Sequence, residues 1–244
     1  MSGVTADNGG RRERRKAQTR AAVRETAQRL FAERGFDAVT IADIATASDV
    51  AVQTVFNHFE TKEALFFDER TPWVEQSAAA VTGRPPGTDP VRALRDYLES
   101  DLVRVLDRES RPENRGYVEA LEASTSLQAR ERTLVEQAGE RVTVALSTAI
   151  ARGEWSAAPA TDPATARVLS RLVADLFMVA GRALVLENRR LVLMGQPDGL
   201  DLSAARKATA GTLTELERSA RGLAGRLLDP AGDLSVEESP APGR

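Results

Sequence analysis

The stretch that decides the fold runs from residue 40 to residue 65: Thr40-Ile41-Ala42-Asp43-Ile44-Ala45-Thr46-Ala47-Ser48-Asp49-Val50-Ala51-Val52-Gln53-Thr54-Val55-Phe56-Asn57-His58-Phe59-Glu60-Thr61-Lys62-Glu63-Ala64-Leu65. Thr40 with Asp43 three residues later resembles a capping box, and Ile41, Ile44 and Ala45 continue an apolar face. A short helix is therefore expected from Ile41 to Ala47. Ser48-Asp49-Val50-Ala51 supplies a tight turn. Val52 to Phe59 reads as a second short helix with Val55 and Phe59 inward, and Thr61 caps a further helix beginning at Lys62.

On the N-terminal side, Val23, Ala27, Leu30 and Phe31 fall at i, i+4, i+7 and i+8, the stripe of an amphipathic helix starting near Ala17. Gly35 follows as its C-cap, because glycine takes the left-handed conformation freely. A helix, a short helix, a turn and another short helix make a helix-turn-helix. Its second short helix must protrude, supported from behind, to enter a major groove roughly 12 Å wide.

The run from Ala27 to Ala45, followed by Val50 to Leu65, resembles the tetracycline-repressor (TetR) family of transcription regulators. Phe31, Gly35, Thr40, Ile44-Ala45, Val50, Phe59 and Lys62-Glu63 at these spacings carry the resemblance, which covers roughly a fifth of the chain. Three positions depart from the family pattern. Asp49 stands where glycine is common, and aspartate tolerates the left-handed turn better than most residues. Ala51 replaces a Ser or Thr N-cap, a loss of about 1 kcal/mol of local capping. Phe56 replaces a Tyr whose phenol can donate to a phosphate.

On the helix from Val52, the residues facing away from Val55 and Phe59 are Val52, Gln53, Thr54 and Asn57. Gln53 is the best base reader, since its amide donates and accepts in the pattern adenine presents; Val52 and Thr54 suit a thymine methyl. By resemblance, Val52, Gln53 and Thr54 are base-reading positions, and Thr40, Asn57, His58 and Lys62 contact phosphates. Lys62 also combines a positive charge with a helix start.

Charge points the same way. Residues 11 to 34 hold nine Lys or Arg against three acids, in a chain of net charge −3. Over residues 1 to 62 there are ten basic and eight acidic residues, and over 63 to 244 there are 23 and 28, so a basic head sits on an acidic body. The segment 1–16 is expected to be a flexible basic arm that follows the DNA backbone or enters the minor groove. The helix-turn-helix domain is assigned to 17–65.

Composition narrows the chemistry. The 244 residues include no cysteine and a single histidine, His58, which excludes thiolate metal sites and thiol nucleophiles. No paired Glu-x-x-His and no glycine-rich phosphate loop is present. The chain is expected to be no enzyme and to need no cofactor or metal. The N-terminus turns basic without an apolar core, and no window is apolar enough for a membrane span, so a cytoplasmic location is expected.

Residues 66–228 read as helices near 72–81, 91–107, 117–124, 127–152, 162–190 and 201–227, a helical regulatory and dimerisation domain; the Pro- and Gly-rich 229–244 is expected to be a disordered tail. The fold class is all-α. The helix at 162–190 is apolar over most of its circumference, so one side faces its own core and the other needs a partner. The last helix carries a seam of Leu202, Ala205, Thr209, Thr212, Leu216, Ala220, Leu223 and Leu227. Two such helices from each of two subunits would form a four-helix bundle, which is also how the family dimerises. A ligand cavity, implied by the resemblance, has candidate walls in Trp73, Leu98, Leu102, Tyr117, Leu121, Trp155 and Phe177, with Arg171, Asp175 or Arg182 as polar anchors. The expected function is a homodimeric repressor released from a palindromic double-stranded DNA operator by an unidentified small molecule. The competing reading is a ligand-independent activator or structural DNA-binding protein.

Overall fold

The computed structural model describes residues 5–155, 162–195 and 201–228. Among these residues the chain is helical, with no strand and no helix long and apolar enough to cross a membrane. The expected tail at 229–244 lies outside the described residues.

The head consists of α1 (Thr5–Arg34), α2 (Ile41–Ala47), α3 (Val52–His58) and α4 (Lys62–Phe66). Each end follows from local chemistry. The Gly35 N–H donates to the Phe31 carbonyl at 2.9 Å with φ of +81°, closing α1 in the left-handed region. Thr40 and Asp43 form the reciprocal capping box of α2. Asp49 takes the left-handed conformation at φ of +53°, so the turn between α2 and α3 survives without a glycine. Ala51 caps α3 with no side-chain hydrogen bond, whereas Thr61 accepts from the Ala64 N–H at 3.0 Å.

One expectation fails at the N-terminus. The segment taken as a flexible arm is helical from Thr5 and continuous with α1. Arg11 to Lys16 are strong helix formers, and once the apolar stripe at Val23 to Phe31 anchors α1, nothing in the basic run stops it propagating backwards.

The body comprises α5 (Trp73–Thr82), α6 (Pro90–Glu109), α7 (Arg115–Ala123), α8 (Thr125–Ala151), α9 (Pro163–Met194) and α10 (Leu202–Leu228), with a 3₁₀ turn at Pro112–Asn114. Asp89 and Asp162 cap α6 and α9, each followed by proline at the first helical position. Leu94, Leu146, Leu169, Phe177 and Leu213 are fully buried at the body's centre. On α9, Val168, Leu172, Leu176 and Val179 form an outward stripe that is 40–64% exposed, while Leu169, Val173 and Phe177 on the opposite side are buried. The α10 seam behaves differently from its sequence reading. Thr209 and Ala220 are buried, Leu216 and Leu223 pack against the body's own core, and Leu227 is its exposed large apolar residue.

Head and body share a core. Val23, Phe31, Phe36, Ile44, Val55, Phe59 and Phe66 pack into one cluster with Val74, Leu121, Leu127 and Leu134. Ser124 reinforces the contact by donating to the Asp37 carboxylate at 2.9 Å. Farther down, Arg189 of α9 is buried and donates to both oxygens of Glu109 on α6 at 2.8 and 3.0 Å and to Glu131 on α8 at 2.8 Å. Burial works against the Arg189 charge, but Glu109 and Glu131 outweigh it and shift its pKa upward. Substituting Arg189→Met leaves two carboxylates without their cation, and is expected to cost about 3–5 kcal/mol in urea-induced unfolding. An unchanged midpoint would show that the cluster does not hold the body together.

Candidate nucleic-acid interface and body cavity

The protruding element is α3. Its back is anchored by Val55, fully buried, and by Phe59 just beyond its end, 2% exposed. Its front presents Val52 and Phe56, 43% and 45% exposed, beside exposed Gln53 and Asn57 and half-buried Thr54. The Gln53 amide donates to the Asn57 side-chain oxygen at 3.2 Å, one turn along, which orients both groups on the same outward strip. Phe56 adds apolar surface where a phenol would have offered a hydroxyl.

At the far end of α3, Asn57 and His58 share a groove with Glu13, Lys16, Ala17 and Arg20 of α1. Burial, then Arg20 and Lys16, lower the His58 pKa, so the imidazole is neutral at neutral pH and offers a hydrogen bond rather than a charge. Arg20 fixes this junction: its guanidinium lies 4.2 Å from the Phe59 ring centroid and donates to the His58 carbonyl and to Asp68, each at 2.5 Å. Arg24 pairs with Asp68 and Glu69. The sequence reading counted Lys16 with the basic arm expected to follow DNA and Arg20 with the basic run, without pairing the two at this junction. Their i, i+4 spacing becomes a shared face only once α1 extends past Ala17.

Two candidate phosphate contacts, Lys62 and Thr40, already have partners within the head. The Lys62 ammonium donates to the carbonyls of Phe36 and Val39, each at 2.9 Å, and sits 4.1 Å from the Phe36 ring centroid. It therefore ties the loop between α1 and α2 to the start of α4. The Thr40 hydroxyl donates to Asp43 at 2.6 Å and accepts from the Asp43 N–H at 3.1 Å. The hydroxyl's donation, together with the Thr40 N–H that donates to the same carboxylate at 2.8 Å, holds Asp43 below the usual range.

A cavity of about 80 Å³ opens in the body between α5, α6, α8 and α9 and the segment after α4. Of the candidate wall residues, Trp73, Leu98, Leu102, Tyr117, Phe177 and Arg182 line it. Leu121 instead lies fully buried in the core shared with the head, and Trp155 packs into the body core. Arg171 and Asp175 pair with each other at 2.7 Å on the surface of α9, four residues apart. An apolar residue at helical spacing reveals that it faces inward, but not which of two cores it joins.

The same stripes carried further would have found more of the wall. Leu98 and Leu102 continue to Val105 and Glu109 on α6, and Phe177 and Gly181 continue to Val185 and Arg189 on α9. Tyr117 is placed between the cavity and the head. Its ring stacks on Phe66 with centroids 4.7 Å apart and planes at 11°, while the Arg70 guanidinium lies 4.0 Å from the Tyr117 ring centroid. Phe66 in turn packs on Phe31 and Phe36 at 5.7 and 5.4 Å. Burial and the Glu109 carboxylate push the Tyr117 phenol up to about 12, so it stays protonated at physiological pH.

Residues 23–68 match the family model described as bacterial regulatory proteins, tetR family. A curated relative, the HTH-type transcriptional regulator TcmR of Streptomyces glaucescens, is 32% identical over 105 residues, 43% of this chain and 46% of that one. The match thus spans less than half of that relative. Among solved structures, NalD, the secondary repressor of the MexAB-OprM multidrug efflux pump in Pseudomonas aeruginosa, aligns over 82% of this chain and 96% of its own at 22% identity, with a TM-score of 0.51. At that identity the likeness speaks for the helical fold alone.

The head's geometry predicts a stability role for Lys62. Lys62→Met removes two charged-donor hydrogen bonds and a cation–π contact, and should lower unfolding stability by about 2 kcal/mol. A loss below about 0.5 kcal/mol in chemical denaturation would mean that the ammonium is not holding the loop.

Proposed function

We propose, from a head that belongs to the tetR family of bacterial regulatory proteins over residues 23–68, that the chain is a homodimeric transcriptional repressor. On this reading it binds a palindromic operator and is released by a small molecule held in the body cavity. The observation that carries the reading is α3: a short helix backed by buried Val55 and Phe59, with Gln53 and Asn57 oriented outward and the basic end of α1 alongside. Val52, Gln53, Thr54 and Phe56 would face base edges, and Asn57, His58 and Lys16 the phosphates. Thr40 and Lys62 would shape the head from within, leaving Lys62 one N–H for a backbone phosphate.

Dimerisation is supported by the outward stripe of α9, joined on α8 by Val144, which is 67% exposed. Apolar side chains in a row on one helix face are costly in water and favour a self-complementary, two-fold contact. The stripe lies on α9 more than on α10, whose seam is used inside the subunit. The cavity supports the ligand half of the reading, because Tyr117 touches both the cavity and the Phe66 ring of the head core. A ligand that displaces Tyr117 or Arg70 would shift Phe66 and with it the tilt of the head, and its differential affinity for the two tilts limits how far it can induce.

Selection of bound duplexes from a random library tests the reading. The expected product is a palindrome whose half-sites lie about one helical turn apart. Gln53→Ala should relax preference at one position of each half-site, by about 1–3 kcal/mol of discrimination. In sedimentation the intact chain should run at twice its 26.3 kDa mass, and Leu172→Glu with Val179→Glu should return it to the monomer and weaken operator binding. Sequence-indifferent coating of DNA would favour a structural binder, and a monomeric intact chain would remove the dimer.

A further inference from the structure

The cavity has an unusual charge pattern for an apolar space. Three arginines from three elements line it: Arg70 after α4, Arg108 near the end of α6 and Arg182 on α9. In each, Nε is buried with no hydrogen-bond partner. The carboxylates on the same wall are already engaged. Glu109 and Glu131 are held by Arg189, and Asp101 accepts from Arg104 at 3.1 Å. Arg70 and Arg108 also lie close enough for Arg108 to lower the Arg70 pKa, after burial, which lowers it most. A buried guanidinium nitrogen without an acceptor is unfavourable, and the cost falls when one arrives.

The rest of the wall is apolar, including Trp73, Leu102, Val105, Phe177 and Val185. At about 80 Å³ the space is well below the roughly 300 Å³ usual for drug-sized ligands, so a slender body fits before a broad one. We propose that the cavity takes an amphiphilic organic carboxylate, its head group on the unpartnered guanidinium groups and its slender chain against Trp73, Leu102 and Phe177. This names the ligand class for the effector site of the preceding reading and rests on it. Arginine suits the task because its planar fork pairs both oxygens of a carboxylate. A head group bound to Arg70 would also meet the guanidinium that stacks on Tyr117, so occupancy would be felt where the body meets the head.

The test uses the full-length chain without DNA. Tryptophan fluorescence, measured in a Trp155→Phe background so that Trp73 of the cavity wall is the reporter, and the thermal midpoint of the unsubstituted chain are followed during titration with the straight-chain alkanoates from butanoate to decanoate, and with 1-alkanols and 1-alkylammonium ions of matching length. Saturable binding is expected, with each carboxylate about tenfold tighter than its alcohol and the ammonium weakest. Arg108→Gln and Arg182→Gln should each narrow the ratio of carboxylate to alcohol affinity. Equal affinity for the three head groups, a preference for the ammonium, or no saturable response to any alkanoate would overturn the proposal. The head-group comparison by thermal midpoint is made on the unsubstituted chain, so it holds even if a variant fails to fold. A negative result here leaves operator selection intact, and a failed operator selection leaves the head-group preference intact, so the two readings fail separately.

Discussion

The stack of Tyr117 on Phe66 is the contact on which the arrangement depends. Phe66 belongs to the aromatic centre of the head with Phe31 and Phe36, and Tyr117 opens α7 and forms part of the cavity wall. A helix as short as α3 has too few internal hydrogen bonds to persist alone. It stands out from the surface because Val55 and Phe59 are gripped by a core that continues into Leu121, Leu127 and Leu134 of the body. The same continuity means that the head cannot tilt without disturbing α7.

Charge is layered onto this scaffold at three places, with different consequences. Arg20 and Arg24 secure the head to Asp68 and Glu69 at the joint with the body. Arg189 gathers carboxylates from α6 and α8, with Glu122 of α7 at 3.8 Å. Arg70, Arg108 and Arg182 each keep a buried Nε without an acceptor around the cavity. The first two sets are ion-paired and hold the structure; the third has no paired carboxylate among the described residues, and the proposed effector supplies one.

Much of the head was legible in the sequence because its elements end on local signals. Gly35, the Thr40–Asp43 box, Asp49 in the turn and Thr61 all act through bonds spanning a few residues, so spacing alone placed α2, α3 and the start of α4. The body helices were legible from periodicity and from the Asp-Pro starts of α6 and α9. What was hidden depended on long-range packing. Lys62 reads as a free cation until the carbonyls of Phe36 and Val39 are seen to converge on it. Arg11 to Lys16 read as an arm because charge was weighed above helix propensity. Leu121 and Trp155 could not be separated from true cavity residues, since burial is encoded locally but the neighbours are not. Arg182 was picked out as a polar anchor from its place on the helix at 162–190, but the buried Arg189 cluster, Arg70 and Arg108 carry no local signature in a chain with 33 basic residues.

In the proposed dimer, two outward α3 helices related by a two-fold axis read DNA together. Hydroxyl-radical footprinting of the full-length chain on its selected duplex tests this most directly. Two symmetric protected patches are expected on one face of the duplex, centred about 34 Å apart. A single protected patch, or continuous protection without a two-fold pattern, would contradict it.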